Sequence, residues 1–410
     1  MRARLPTTVW ALGIVSLLTD VSSELVHALL PSLLAGPLGA SMVMIGLIEG
    51  MAEATASIVK LFSGALSDRI GRRKPLVVAG YGLSALTKLV FPLVNSAGFI
   101  LGARLLDRIG KGIRGAPRDA LIADVTPPEQ RGAAYGLRQS LDTVGAVIGP
   151  LAAMALMLWL LDVRAALWFA AIPGLLAVLV LMVYVREPEQ HASDKKTALT
   201  LRDWRVLDAR VWGVIGIAAM LNLARFGEGF LVIRMRDAGF GNSLAPMALV
   251  LMSLAFTLTA YPVGWWADRI PRRSLLLTGV VLLVVADLVF AGVPGRLGAA
   301  LGVVLWGVHL GFTQGLLSAL LSDVAPKALR GRAFGVFHLA GGIALLVASV
   351  AAGGLWQWLG AQAMFLVAAV GLAATSFMKS FQHLDIVFFV MLPMFLLSAT
   401  FFPIEVYPET

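Results

Sequence analysis

The sequence predicts an all-α polytopic membrane protein, and three observations lead to that prediction. Of its 410 residues 59% are apolar and only 14% are charged, which is far more apolar than a soluble domain. Apolar runs of about 20 residues, the length that crosses a bilayer core, recur along the chain. Two segments of the first half also return in the second half at nearly constant spacing.

The apolar runs predict twelve membrane spans. The polar stretch 186–209 separates an N-terminal six-helix bundle, 1–185, from a C-terminal six-helix bundle, 210–378, and an extra apolar segment, 379–410, follows. The spans are expected near 8–34, 42–66, 75–94, 97–120, 130–159, 166–184, 210–235, 245–266, 274–292, 298–321, 331–356 and 360–378.

Basic residues lie mainly in the loops of one side, which sets the expected orientation. Arg2 and Arg4 precede the first span, and the loops after spans two, eight and ten are rich in Lys and Arg. Because positively charged short loops stay in the cytoplasm, we expect a cytoplasmic N-terminus and a plasma-membrane location, the inner membrane of a bacterium. The net charge of +9 is spread over these loops, which argues against a nucleic-acid partner.

The internal repeat indicates how the two bundles are related. Residues 64–74 and 264–274 share Gly, Asp, Arg, Ile, Arg and Arg in register, and 124–137 matches 323–336 at an offset of 199. An even number of spans in each half makes the repeats parallel, a symmetry associated with transporters that rock one half against the other.

These segments resemble the major facilitator superfamily of secondary transporters. "GALSDRIGRRK" is similar to the family's signature in the 2–3 loop, and "GWWADRIPRRS" to its weaker 8–9 copy, with Pro271 in place of glycine. Arg104 occupies the place of the family's fourth-helix arginine, although Asp107 and Arg108 replace the Gln and Gly that usually follow. "GAVIGP" resembles the exporter-associated helix-5 motif and assigns it to Gly145, Gly149 and Pro150.

The resemblance implies that the two loops act as a latch that holds the halves in one conformation. An acidic residue at a helix end caps backbone N–H groups, and Gly71 permits a tight turn. The expected latch residues are Gly64, Asp68, Arg69, Gly71, Arg72 and Arg73 in the first copy, and Gly264, Asp268, Arg269, Arg272 and Arg273 in the second.

Charged side chains at membrane depth are the candidates for function, because each is costly unless it is paired or faces a water-filled cavity. The N-terminal half concentrates them on spans one, two, four and five, and we expect proton coupling there, with solute selectivity in the C-terminal half. Each charge also has the alternative of a structural ion pair. The candidates for the coupling and substrate cavity are Asp20, Glu24, Glu49, Glu53, Arg104, Asp107, Arg108, Asp142, Asn222, Arg225, Glu228 and His309.

The predicted function is secondary active transport of a small solute by alternating access, as proton-coupled export. Two alternatives stay open: proton-coupled import of a small nutrient or anion bound by the Arg-rich fourth span, and a non-transporting membrane subunit of a larger complex. The expected partners are the solute, protons and the lipid bilayer, acting on a monomer that needs no cofactor beyond the proton gradient.

An enzyme is not expected, because no nucleophile and base have credible spacing, and the five histidines show no metal-ligand spacing. The segment 379–410 resembles part of an ABC-2 type permease, as a fused or truncated reading frame would leave, and could instead form a thirteenth helix or an interfacial hairpin.

Overall fold

The protein is helical throughout the part that the structure describes. The computed structural model describes residues 5–70, 72–187, 207–267, 269–326 and 329–376, with the backbone alone at 64, 65, 68, 69 and 374–376. The expected extra segment 379–410 and most of the linker 186–209 lie outside these ranges.

The N-terminal half contains seven helices between Thr7 and Tyr184. Short 3₁₀ turns at Phe91–Leu93 and Pro128–Gln130 follow the third and precede the fifth. The helices are α1 (Thr7–Ala35), α2 (Met42–Ile70), α3 (Lys74–Val90), α4 (Ala97–Val125), α5 (Arg131–Leu160), α6 (Val163–Trp168) and α7 (Ala171–Tyr184).

The C-terminal half repeats this plan with two interruptions. The seventh predicted span is broken between Leu223 and Gly229, and the last helix changes direction at Gly360, whose φ of 86° suits glycine. The helices are α8 (Ala209–Leu223), α9 (Gly229–Met235), α10 (Gly241–Leu244), α11 (Met247–Trp266), α12 (Arg272–Gly292), α13 (Gly295–Val324) and α14 (Arg330–Ser376).

Nine helices of the described ranges are long and apolar enough to cross a bilayer. The predicted number of twelve is higher because α4 is rich in charged residues, the seventh predicted span is divided into α8 and α9, and the last two predicted spans are joined as α14 across the kink at Gly360. The helical class of the prediction is confirmed, and the count of twelve stays a prediction.

The repeat found in the sequence is visible as a matching pair of ion pairs. Arg73 Nε lies 2.9 Å from Asp124 Oδ2 and joins the start of α3 to the end of α4. Arg272 pairs with Asp323 and joins the start of α12 to the end of α13 in the same way. Both residues of the second pair lie 199 positions after their counterparts, so Arg272 takes the place of Arg73. We call the side of the membrane that bears these pairs the basic side.

The two halves pack together mainly along α2 and α14. Glycines on both helices bring the backbones into contact: a Cβ on Gly46 would lie 2.0 Å from the Ser349 carbonyl oxygen, and one on Gly353 would lie 2.3 Å from that of Met42. Small residues permit this approach between helices that lack a hydrophobic driving force in lipid. α1 also packs on α9, and α5 on α11.

A buried aromatic cluster lies on the side of the protein opposite the basic side. Phe226 lies 4.7 Å from Trp306 and 5.8 Å from Phe230, measured between ring centroids, and Trp356 and Phe365 complete the cluster. All five side chains belong to the C-terminal half and are at least 92% buried. The C-terminal half is therefore tightly packed on this side.

The contact at Gly46 generates a prediction. Gly46→Ala should lower the melting temperature of the purified protein, because overpacking of this kind costs about 1–3 kcal/mol. Gly82→Ala is the matched control on α3, where a Cβ meets nothing within 4 Å. Equal melting temperatures for the two variants would contradict the close approach of α2 and α14.

Candidate functional site

The structure describes only some residues of the two expected latch loops. Gly71 and Asp268 lie outside the described residues, and the same holds for the side chains of Gly64, Asp68 and Arg69. The backbone N–H groups of Arg73 and Lys74 both donate to the Glu187 carboxylate, so the start of α3 is held by an acid from the end of the N-terminal half.

The other latch residues have more exposed positions. The Arg269 guanidinium lies 3.4 Å from the ring centroid of Trp265. Arg72 and Arg273 are exposed, and a Cβ on Gly264 would meet nothing within 4 Å. Among the described latch residues only Arg73 and Arg272 form ion pairs with the neighbouring helix.

The first group of buried charges joins α1 to α2. His27 lies between two carboxylates, with Nδ1 3.4 Å from Glu24 Oε2 and Nε2 3.2 Å from Glu49 Oε2. Both ring nitrogens donate only when the imidazole is protonated, so the geometry suits a positive His27 between two acids. The backbone of the C-terminal half closes over Glu49, since a Cβ on Gly227 would lie 2.6 Å from Glu49 Cβ.

The second group of buried charges lies on one face of α4 and forms ion pairs with two different helices. Arg108 Nη1 is 3.1 Å from Glu53 Oε1 on α2, whereas Asp107 Oδ1 accepts a 2.7 Å hydrogen bond from Lys88 Nζ on α3. Arg104 Nη1 lies 3.7 Å from Asp107 Oδ2. Arg104 is fully buried, and its three guanidinium nitrogens have no hydrogen-bond partner in the described chain.

A cavity of about 410 Å³ lies between the two halves, towards the basic side. Its volume falls in the range of sites for small molecules. The N-terminal half supplies all the Asp, Glu, Lys and Arg side chains of its wall, and the C-terminal half contributes uncharged residues of α11 together with His338 of α14. The charged residues of the wall are Asp20, Glu24, Glu53, Lys60, Lys111, Arg114, Arg118 and Asp142.

The helix-5 motif positions the acids of this wall. A Cβ on Gly145 would lie 2.9 Å from Asp20 Cβ, and one on Gly149 would lie 2.7 Å from Glu24 Cβ. The two glycines and Pro150 after them are buried. The glycines are about one helical turn apart, as are Asp20 and Glu24, so they bring α5 against α1 at both acids. The motif therefore sets where the carboxylates of α1 stand in the cavity.

In the C-terminal half the predicted residues form a network away from the cavity. His309 Nδ1 lies 2.7 Å from the Gly279 carbonyl oxygen and must donate to it, so Nε2 accepts the hydrogen bond from Arg225 Nε at 2.9 Å. Arg225 also donates to Thr313. His309 is thus a neutral, fully buried residue with a structural partner for each nitrogen.

The remaining two predicted residues flank the break between α8 and α9. Asn222 Nδ2, in the last turn of α8, donates to the Ala218 carbonyl at 2.8 Å. Glu228 precedes α9 and lies beside Gly227 and Gly229, which pack against Glu49. Of the twelve predicted cavity residues, Asp20, Glu24, Glu53 and Asp142 line the cavity, and the other eight are not on its wall.

The sequence reasoning missed several charges that the fold makes prominent. Lys60, Arg114 and Arg118 belong to the cavity wall, and Lys88 neutralises Asp107. Asp287 on α12 is fully buried, and neither carboxylate oxygen has a partner among the described residues. The offset of 199 that relates the halves aligns Asp287 with Lys88, a signal that was present in the sequence.

No group of three or more His, Asp or Glu in the described ranges is arranged to hold a metal ion.

Comparison with known proteins decides the family. The family model described as Major Facilitator Superfamily matches residues 12–246 and 228–402. An uncharacterised MFS-type transporter of Methanocaldococcus jannaschii is 31% identical over 364 residues, covering 86% of this chain and 89% of the relative. The chain belongs to the major facilitator superfamily. It is an integral membrane transporter and not an enzyme.

Other superfamily members show how varied the similar proteins are. The multidrug resistance protein MdtH of Photorhabdus laumondii is 27% identical, covering 78% of this chain and 79% of the relative. A crystal structure of the nucleoside transporter NupG superposes with a TM-score of 0.73 at 16% identity, covering 90% of this chain and 97% of that one, and shows the shared fold alone. The resemblance of 379–410 to an ABC-2 permease stays a prediction, and the second family match extends into that segment.

The buried pair of Lys88 and Asp107 generates a prediction on stability. Lys88→Met should destabilise the protein by about 3–5 kcal/mol, because it leaves the Asp107 carboxylate buried without its nearest cation. Lys74→Met is the matched control, since Lys74 is a half-buried lysine at the start of α3 whose Nζ donates to the Met182 carbonyl and pairs with no described acid. The double variant Lys88→Met with Asp107→Leu should recover part of the loss in a thermal unfolding assay, and no recovery would mean that the pair is not the cause.

The repeated ion pairs generate a second prediction. The Arg73 and Asp124 side chains are 16% and 22% exposed, against 28% and 60% for Arg272 and Asp323. Arg73→Gln should therefore lower the melting temperature more than Arg272→Gln, whose exposed pair is worth roughly 1 kcal/mol or less. The Arg272 effect should also fade in high salt, which screens exposed pairs. A larger effect at Arg272 would contradict this ranking.

Proposed function

We propose that the protein is a proton-coupled exporter of a small solute that works by alternating access to the cavity between its halves. The basic side is cytoplasmic in this proposal, and the membrane is the plasma membrane, with a monomer as the working unit. The observation that supports it is the state of Asp20, a carboxylate on the cavity wall with no hydrogen bond or ion pair to any described residue.

A coupling group has to reach the cavity and be free to change its charge. The other acids of the wall are engaged: Glu24 by His27, Glu53 by Arg108, and Asp142 by Arg138, whose Nη1 lies 2.5 Å from Asp142 Oδ2. Asp20 forms no ion pair with a described residue, so a proton or a cationic group of the solute is free to neutralise it. Competition between the two at one carboxylate is the chemistry of exchange.

The direction of export draws on two supports. Gly145 and Gly149, in the motif associated with exporters, pack directly on α1 beside Asp20 and Glu24. A relative named for multidrug resistance aligns with most of the chain. In this cycle the solute binds deprotonated Asp20 from the cytoplasm, and a proton displaces it after the cavity opens to the other side.

The two alternatives have less support than export. Import of an anion relied on the arginines of the fourth span. Arg104 and Arg108 are engaged with Asp107 and Glu53 and are not on the cavity wall, and Arg114 and Arg118, which are on it, are engaged with Ser84 and Asp119. A non-transporting subunit is less favoured because the family is one of transporters; the segment 379–410 that suggested it lies outside the described residues.

Asp20→Asn tests the proposal. In inside-out membrane vesicles, the solute that most stabilises the purified protein in a thermal-shift screen should accumulate when the interior is acidified. The variant should lose this dependence by 5- to 150-fold, the range of a coupling free energy of about 1–3 kcal/mol. Asp237→Asn is the matched control, since Asp237 pairs with Arg236 outside the cavity. Unchanged pH dependence in Asp20→Asn would refute the assignment.

A further inference from the structure

The charges of the cavity wall divide into those with a partner and those without. Arg114 donates to Ser84 at 2.7 Å and stacks on Tyr81, and Arg118 pairs with Asp119 at 3.0 Å. With Glu24, Glu53 and Asp142 engaged as described, three charged groups remain without a hydrogen bond or ion pair in the described chain. They are Asp20, Lys60 and Lys111.

The two free lysines create a positive region of the wall. Lys60 on α2 has Lys111, Arg118 and Arg138 among its charged neighbours, with Asp119 as the acid. Asp119 is already shared between Arg118, at 3.0 Å, and Arg138, at 3.9 Å. An ammonium group is a compact charge with three donors, so the two lysines suit a carboxylate that accepts from both.

The same cavity has an acidic region on α1 and α5. Asp20 has the acids Asp142 and Glu24 among its charged neighbours, with Lys111 and Arg114 as the cations. Oδ2 of Asp142 is taken by Arg138 and Glu24 is engaged by His27, so Asp20 is the carboxylate of this region that forms no ion pair in the described chain. A primary ammonium group would neutralise it.

A solute of a single charge satisfies only one of these regions. A lipophilic cation would meet Asp20 and leave two ammonium groups unpaired in a closing cavity, and an anion would leave Asp20 unpaired. Uncompensated charge of this kind is the costly state inside a protein. The opposing wall, with Ser253, Phe256 and Thr257, adds no fixed charge of its own.

We propose that the cavity takes a small zwitterionic solute, with its carboxylate between Lys60 and Lys111 and its ammonium group at Asp20. This inference rests on the proposed function in that the ammonium group is what competes with the proton. In this proposal the N-terminal half binds the two charged groups of the solute, and the uncharged wall of the C-terminal half limits the size of the solute.

Binding to the purified full-length protein in nanodiscs tests the substrate class. The probes are the dipolar series glycine, β-alanine, 4-aminobutanoate, 5-aminopentanoate and 6-aminohexanoate, with pentanoate and pentylamine as matched solutes of one charge. At least one dipolar probe should bind at least about tenfold more tightly than both controls, because a site that pairs two groups rejects an analogue lacking one. The inference is overturned if no dipolar probe binds, or if pentanoate or pentylamine binds as tightly as the best of them.

Lysine variants test the assigned contacts. Lys60→Met and Lys111→Met should each weaken the best dipolar probe by about tenfold or more, while Lys74→Met should leave it unchanged. Lys60→Arg and Lys111→Arg retain the charge and should keep most of the affinity, so they replace the Met variants if those fail to fold. Full affinity in Lys60→Met and Lys111→Met would overturn the inference.

A transport measurement separates this inference from the proposed function. If the dipolar probe binds through both lysines but an acidic vesicle interior does not drive its uptake, proton-coupled export fails and the substrate class stands. If the gradient drives uptake of a solute without a carboxylate, independently of Lys60 and Lys111, the substrate class fails and coupled export stands.

Discussion

Buried charge that has to be neutralised inside the N-terminal half is the constraint on which the rest of the structure depends. Arg104, Asp107 and Arg108 sit on one helix in an apolar environment, where an unpaired charge is very costly. Lys88 and Glu53 come from two different helices to meet them. These pairs fix how α2 and α3 stand against α4, and so they define one wall of the cavity.

The same constraint explains which charges are left for function. Once Glu24, Glu49 and Glu53 have His27 and Arg108 as partners, their charge is committed to holding the bundle together. A group that must gain and lose charge during a transport cycle is better placed where nothing fixes it. Asp20 fits that description because it stands on the cavity wall, one turn before Glu24, without a hydrogen bond or ion pair to a described residue.

The two halves share the same helix arrangement but differ in the charged residues of their interiors. Arg73 and Arg272 make equivalent ion pairs at the basic side, so the ancestral repeat is preserved where helices begin and end. In the interior the two halves differ, because Lys88 is paired whereas its counterpart Asp287 is buried without a partner among the described residues. The C-terminal half contains neutral His309 and an aromatic cluster instead, and it contributes no Asp, Glu, Lys or Arg side chain to the cavity wall.

The sequence by itself determined the membrane class, the two-part repeat and the family, since apolar length and motif spacing are local properties of the chain. It also located the acids and arginines at membrane depth, including Asp20 and Asp142. Only the tertiary structure decided which of them are paired, because pairing depends on helix rotation and on partners far away in the chain. Asp107 and His309 resembled cavity residues until the fold placed Lys88 of α3 beside Asp107, and Arg225 of the α8–α9 break with Gly279 of α12 beside His309. Lys60 and Lys111 became prominent because the packing of α2 and α4 leaves both without an ion pair to any described carboxylate.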